Sequence, residues 1–175
     1  MHRAITALDF HPRAVPCPGA MPSRRASDNG ATRGTSGEPN CQSESEALVR
    51  IRDRRPRVLV VDDQDLFREG LVSTLSEVYA SQVDSAADAG EALEKAGSGF
   101  DLVLMDVTMP GMDGFEAFRE MQARALAVQV VLMTANKSEE RDARAQELGI
   151  PLLGKPIELE ELERVLLACL GGGAS

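Results

Sequence analysis

Five polar residues stand just past the ends of four short apolar runs. Asp62 and Asp63 follow residues 58–61, and Asp106 follows residues 102–105. Thr134 follows residues 128–133, and Lys155 follows residues 150–153 after a single Gly. Three carboxylates brought close together repel, and ionising all of them requires a cation. A hard ion with all-oxygen ligands suits them, and Mg²⁺ that keeps several waters is the expected one. Lys155 and Thr134 then serve an incoming anion. The set describes phosphoryl transfer. Asp106 attacks as nucleophile and becomes an acyl phosphate, the metal bridges carboxylate and phosphoryl oxygens, and Lys155 and Thr134 stabilise the remaining oxygens. A turn-capping role would explain any one of these residues alone. It does not explain the five together.

Such a set needs elements that deliver it to one place. The runs at 58–61 and 102–105 are short and apolar throughout, and 128–133 is apolar but for Gln129, as strands buried on both faces are. A brief strand near residues 81–84 and a last one at 150–153 complete five. Helical periodicity falls between them. Phe67, Leu71, Leu75 and Val78 share one helix face, and Phe115, Phe118 and Met121 share another. Asp88-Ala-Gly-Glu91 reads as a capping box opening a helix that ends at Gly97. Residues 138–148 form a nearly all-polar helix stopped by Gly149. In the last helix, about 158–170, Leu159, Leu162, Leu166 and Cys169 point inward. Strand and helix alternate five times, which predicts a doubly wound α/β domain with a parallel sheet. In such sheets, chemistry gathers at the carboxyl edge of the strands.

Composition bounds the rest. The 175 residues carry a net charge of −9. Residues 1–56 hold nine Arg against six acidic residues, and residues 57–175 hold ten Lys and Arg against twenty-two acidic ones. A domain that acidic is a poor nucleic-acid binder. Cys17, Cys41 and Cys169 show no metal spacing, and their odd number argues against a disulfide framework. His2 and His11 lack partners at ligand spacing. No apolar run reaches membrane-spanning length, so the expectation is a cytoplasmic protein with no membrane role. Residues 1–56 are rich in Pro, Gly, Ser and Arg and read as a disordered extension, with a short helical lead-in at 44–52. The domain is expected at 57–170, and 171–175 reads as a flexible tail. On that reading, residues 1–50 are dispensable for folding.

Val61-Asp-Asp63, Met105-Asp-Val-Thr-Met-Pro-Gly111, Met133-Thr-Ala135 and Gly154-Lys-Pro156 together resemble the receiver domain of two-component response regulators, over roughly residues 57–170. The resemblance implies a flavodoxin-like five-stranded sheet of order 2-1-3-4-5. It implies that Asp106 is the phospho-acceptor, and that Mg²⁺ is held by Asp62, Asp63, Asp106 and the backbone carbonyl of Thr108. Thr134 would sense the phosphoryl group, Lys155 would pair with it, and Pro156 would follow a cis peptide. The implied donor is a histidine kinase or a histidine phosphotransfer protein. The implied output is a downstream protein docking on the surface made by the polar helix, the last strand and the last helix, with no turnover of an external substrate.

Two positions depart from the family pattern. Leu152 stands where a rotating Tyr or Phe is usual, three residues before Lys155, and the segment 149–155 is one residue short. Residues 66–71 resemble the first helix of regulators with a DNA-binding output, but no helix-turn-helix segment is present. The chain therefore reads as a single-domain regulator or a fragment of a longer one. Two rival readings explain less. Asp63-Gln-Asp65 resembles the D-x-D motif of haloacid-dehalogenase-type phosphatases, but those need a further acidic pair after the Lys, and that reading leaves Asp106 without a role. A receiver that is never phosphorylated would be expected to lack a carboxylate or the Lys.

Overall fold

The computed structural model describes residues 41–171, with side chains from residue 46 onward. Five strands form one parallel sheet: β1 (Arg57–Val61), β2 (Gln82–Ala86), β3 (Leu102–Asp106), β4 (Gln129–Thr134) and β5 (Leu152–Gly154). Six helices connect or flank them: α1 (Cys41–Arg54), α2 (Asp65–Tyr79), α3 (Ala89–Ala96), α4 (Gly114–Ala123), α5 (Glu139–Leu148) and α6 (Leu159–Leu170). The strand order is β2-β1-β3-β4-β5, as the resemblance implied.

The sheet divides the core by simple alternation, because successive strand side chains point to opposite faces. Leu59, Val61, Val103, Met105, Val130 and Leu132 pack with α3, α4 and α5 on one face. Val58, Val60, Leu102, Leu104, Val131 and Met133 pack with α1, α2 and α6 on the other. Burial on both faces explains why the three central strands read as unbroken apolar runs.

The helix faces differ slightly from expectation. In α2 the buried positions are Leu71, Leu75 and Tyr79, while Val78 is 38% exposed. The i, i+4, i+8 row therefore selects the larger aromatic over its neighbour. In α6 they are Leu162, Leu166 and Leu170, with Leu159 left 48% exposed in the first turn. Asp88 caps α3 by accepting from the Glu91 amide, but Glu91 returns its carboxylate to the Ala87 amide, one residue before the cap. The reciprocal capping box is at Asp113 and Glu116, opening α4.

The N-terminal boundary needs a correction. Residues 41–54, expected to be disordered apart from a short lead-in, form a fourteen-residue helix in the same compact unit as the sheet. The cause is apolar spacing. Leu48 and Ile51 lie three residues apart on one face, and Ile51 is 3% exposed among the residues of the α2–α6 core. The part of the expected extension at residues 1–40 and the tail at 172–175 lie outside the described residues, as do Cys17, His2 and His11.

Candidate functional site

Parallel strands bring their carboxyl ends to one edge, and the register fixes what meets there. Asp106 closes β3 opposite Met133, and the Val107 amide donates to the Met133 carbonyl at 2.7 Å. The Lys155 amide donates to the Thr134 carbonyl at 2.8 Å, so Lys155 leaves β5 beside the end of β4. Asp62 follows β1 and is held by its amide donating to the Ala86 carbonyl at 3.2 Å. Asp62, Asp106 and Thr134 are buried, at 0%, 3% and 1% exposure.

The centre of the site is one ammonium shared by two carboxylates. Lys155 Nζ forms an ion pair with Asp106 Oδ1 at 2.7 Å and donates to Asp62 Oδ2. The remaining oxygens are spoken for as well: the Gln64 amide donates to Asp62 Oδ1 at 2.9 Å and the Thr108 amide to Asp106 Oδ2 at 2.8 Å. The Phe67 ring lies under the ammonium, 4.3 Å from Nζ to the ring centre, and its π face favours the charge. Burial pushes the Asp106 carboxyl above the usual carboxylate range; Lys155 pulls it back, and the Asp62 charge adds to the rise. The Lys155–Pro156 peptide is cis, as expected.

Of the three carboxylates expected at this edge, Asp62 and Asp106 meet at the Lys155 ammonium. Asp63 is exposed, and among the described residues no three His, Cys, Asp or Glu side chains stand together as a metal-holding group. Asp62 is buried in the sheet edge, and Asp63, the next residue in the turn after β1, is exposed at its rim. Asp65 of the D-x-D triplet lies in the first turn of α2, paired with Arg68.

Thr134 does not touch Asp106 through a hydrogen bond here. Its hydroxyl donates to the Asn136 carbonyl at 3.2 Å and accepts from Arg141 Nη1 at 2.7 Å. Arg141 also donates from Nη1 to the Asn136 carbonyl at 2.9 Å and from Nη2 to Thr108 Oγ1 at 3.3 Å. Residue patterns gave no hint of Arg141, which sits seven positions beyond Thr134 in a polar helix. Phe67 and Arg68 were equally unforeseen as site residues; Arg68 Nη1 donates to the Asp62 carbonyl at 2.6 Å. Leu152 is half-buried, pairs with Leu132 in register, and packs with the α3–α5 side of the core.

On the other flank, α4 begins hard against the acceptor strand. A Cβ on Gly114 would lie 2.4 Å from the Asp106 carbonyl oxygen, so only Gly permits this approach. The Gly114 amide donates to the Val107 carbonyl at 3.0 Å.

The family model for the response regulator receiver domain matches residues 58–167. The chain belongs to that family. Among solved structures, the signal receiver domain of NarL from Mycobacterium tuberculosis is 33% identical with a TM-score of 0.60, covering 69% of this chain and 98% of that one. The receiver domain of the sensor histidine kinase PA1611 from Pseudomonas aeruginosa, with magnesium coordinated in its active-site cleft, is 27% identical with a TM-score of 0.60; the match covers 67% of this chain and 98% of that one. The response regulator GacA of Pseudomonas aeruginosa is 34% identical over 119 residues, 66% of this chain and 56% of GacA. The receiver domain thus spans little more than half the length of that relative. No described helix is long and apolar enough to cross a membrane.

Proposed function

We propose that this receiver domain takes a phosphoryl group onto Asp106 and that Lys155 and Thr134 stabilise it there. The observation that carries the reading is the single ammonium of Lys155 bonded to both Asp62 and Asp106 at the carboxyl edge of the sheet. An Asp106 oxygen attacks phosphorus, the bond from phosphorus to the donor breaks, and its electron pair leaves with the donor. Lys155 is already in contact with the nucleophile, so its charge is in place as phosphoryl oxygens arrive, without reorganisation. Thr134 has one hydroxyl proton and must turn it from the Asn136 carbonyl to reach them.

The donor set fits a hard divalent cation. It is all oxygen, two of its carboxylates already share a cation in Lys155, and Asp63 has no protein partner among the described residues. Asp62, Asp63, Asp106 and the Thr108 carbonyl would hold Mg²⁺. Bound there, it would neutralise carboxylate charge that otherwise repels a phosphoryl anion.

The donor we infer is a histidine kinase or a histidine phosphotransfer protein, in keeping with the family. The output is a rearranged surface of α5, β5 and α6 that binds a protein partner. Intact-mass measurement after incubation with acetyl phosphate and Mg²⁺ tests the acceptor. Wild type should gain one phosphoryl group and Asp106→Asn none. Phosphate on any other residue of the wild type would sink the assignment.

A further inference from the structure

We propose that Arg141 is a second phosphoryl-binding cation, which leaves the hydroxyls of Thr108 and Thr134 to bond the group carried by Asp106. Three observations on this side chain point the same way.

The first is position. Arg141 bonds Thr134 Oγ1 and Thr108 Oγ1, and the amide of Thr108 itself bonds Asp106 Oδ2. The guanidinium therefore spans the two loops that flank the acceptor carboxylate. It also helps to line a cleft of about 320 Å³ together with Thr108 and Arg144.

The second is charge. Among the described residues Arg141 has no carboxylate within ion-pair reach, although Glu139, Glu140 and Asp142 share its helical turn. Arg144, one turn on, is the contrast: it pairs with Asp113 at 3.3 Å and stacks on Phe115. A cation in the first turn of a helix also faces the positive end of the dipole. Arg141 is thus a half-buried charge held by neutral oxygens alone, next to where a dianion is to form.

The third is donor arithmetic. A guanidinium has five N–H groups. Three are used here, two from Nη1 and one from Nη2, and they leave spare donors for a phosphoryl oxygen. The bonds to the two hydroxyls have charge only on the donor, whereas a phosphoryl oxygen adds opposite charge on the acceptor, so exchanging one for the other is favourable. The exchange would also draw the first turn of α5 toward Asp106. This rests on the phosphorylation reading and adds a residue and a direction of movement to it.

The test is a titration with beryllofluoride and Mg²⁺, followed by tryptophan-free methods such as calorimetry or fluorine resonance, on the full chain. Arg141→Gln keeps hydrogen-bonding capacity and removes charge, Arg141→Lys keeps charge, and Arg144→Gln controls for a neighbouring cation in the same cleft. We expect Arg141→Gln to bind about tenfold or more weakly with a shallower salt dependence, the usual scale for one charged hydrogen bond. Arg141→Lys should fall between, and Arg144→Gln should match wild type. Binding by Arg141→Gln that equals or exceeds wild type overturns the proposal, since Arg141 would then be neutral or a latch on the resting state. Wild type that binds no beryllofluoride and takes up no phosphate overturns the phosphorylation reading itself, which the variant comparison alone cannot do. Equal thermal midpoints for the variants separate lost affinity from lost fold.

Discussion

Lys155 is the residue on which the electrostatics of the site turn. Its side chain is 7% exposed and satisfies two carboxylates that are themselves buried. Removing one partner of a buried ionic group leaves uncompensated charge, at a cost of about 3–5 kcal/mol. Lys155→Met should therefore lower unfolding free energy by about that much in denaturant titrations, besides impairing phosphate uptake. Asp106 shows the opposite sign. Its folded carboxyl binds a proton more tightly than an unfolded one, chiefly because of burial. Such a group favours the fold below the ordinary carboxylate range and costs stability as pH climbs through its raised folded value. Asp106→Asn should accordingly raise the melting temperature at pH 7 in chelator, and the gain should vanish below about pH 4. An equal or lower melting temperature at pH 7 would contradict this. Asp62, Asp106, Thr134 and Lys155 were legible in the sequence because each interrupts or follows an apolar run at a strand end. Arg141 was not, because a hydrogen bond from a polar helix to a loop leaves no periodic trace.

Among the elements, α1 and α5 are opposites. In α5 only Ala145 is fully buried, and the helix is held by its Ser138 cap and a left-handed Gly149 at φ 67°. Helices of ten residues draw most of their stability from packing, so α5 should open more readily than α4. Hydrogen exchange should find residues 139–148 less protected than 114–123, with protection rising on addition of beryllofluoride; no change would tell against α5 as the moving element. α1 carries fewer apolar residues than a core helix, yet Leu48 and Ile51 reach the α2–α6 core. Truncation near Arg52, which composition alone made safe, should therefore destabilise the domain. Ile51→Ala should cost about 2–4 kcal/mol by chemical denaturation. Only a short lead-in at 44–52 was legible there, because Leu48 and Ile51 make too short an apolar pattern to show that the helix packs on the core. The three central strands carried far stronger signals, since burial on both faces keeps nearly every position apolar.

For the molecule as a whole, the parallel sheet follows from the alternation of strand and helix with short connections, and so does the placing of the site at the carboxyl edge, whereas the strand order came from the family resemblance. The two flanks of that edge are not alike, and this was invisible without coordinates. On one side α4 butts against the Asp106 main chain with no room for a methyl group at Gly114. Gly114→Ala must push the helix or the strand aside and should cost about 1–3 kcal/mol, with phosphate uptake slowed as Asp106 is displaced. On the other side Thr134, Asn136 and Arg141 meet through hydrogen bonds that can be exchanged one for another. Seen as a tool, the edge is a vice with one jaw bolted down. If charge arrives at Asp106, the fixed α4 side gives it no room to move, and its travel would be spent closing the jaw that bears α5.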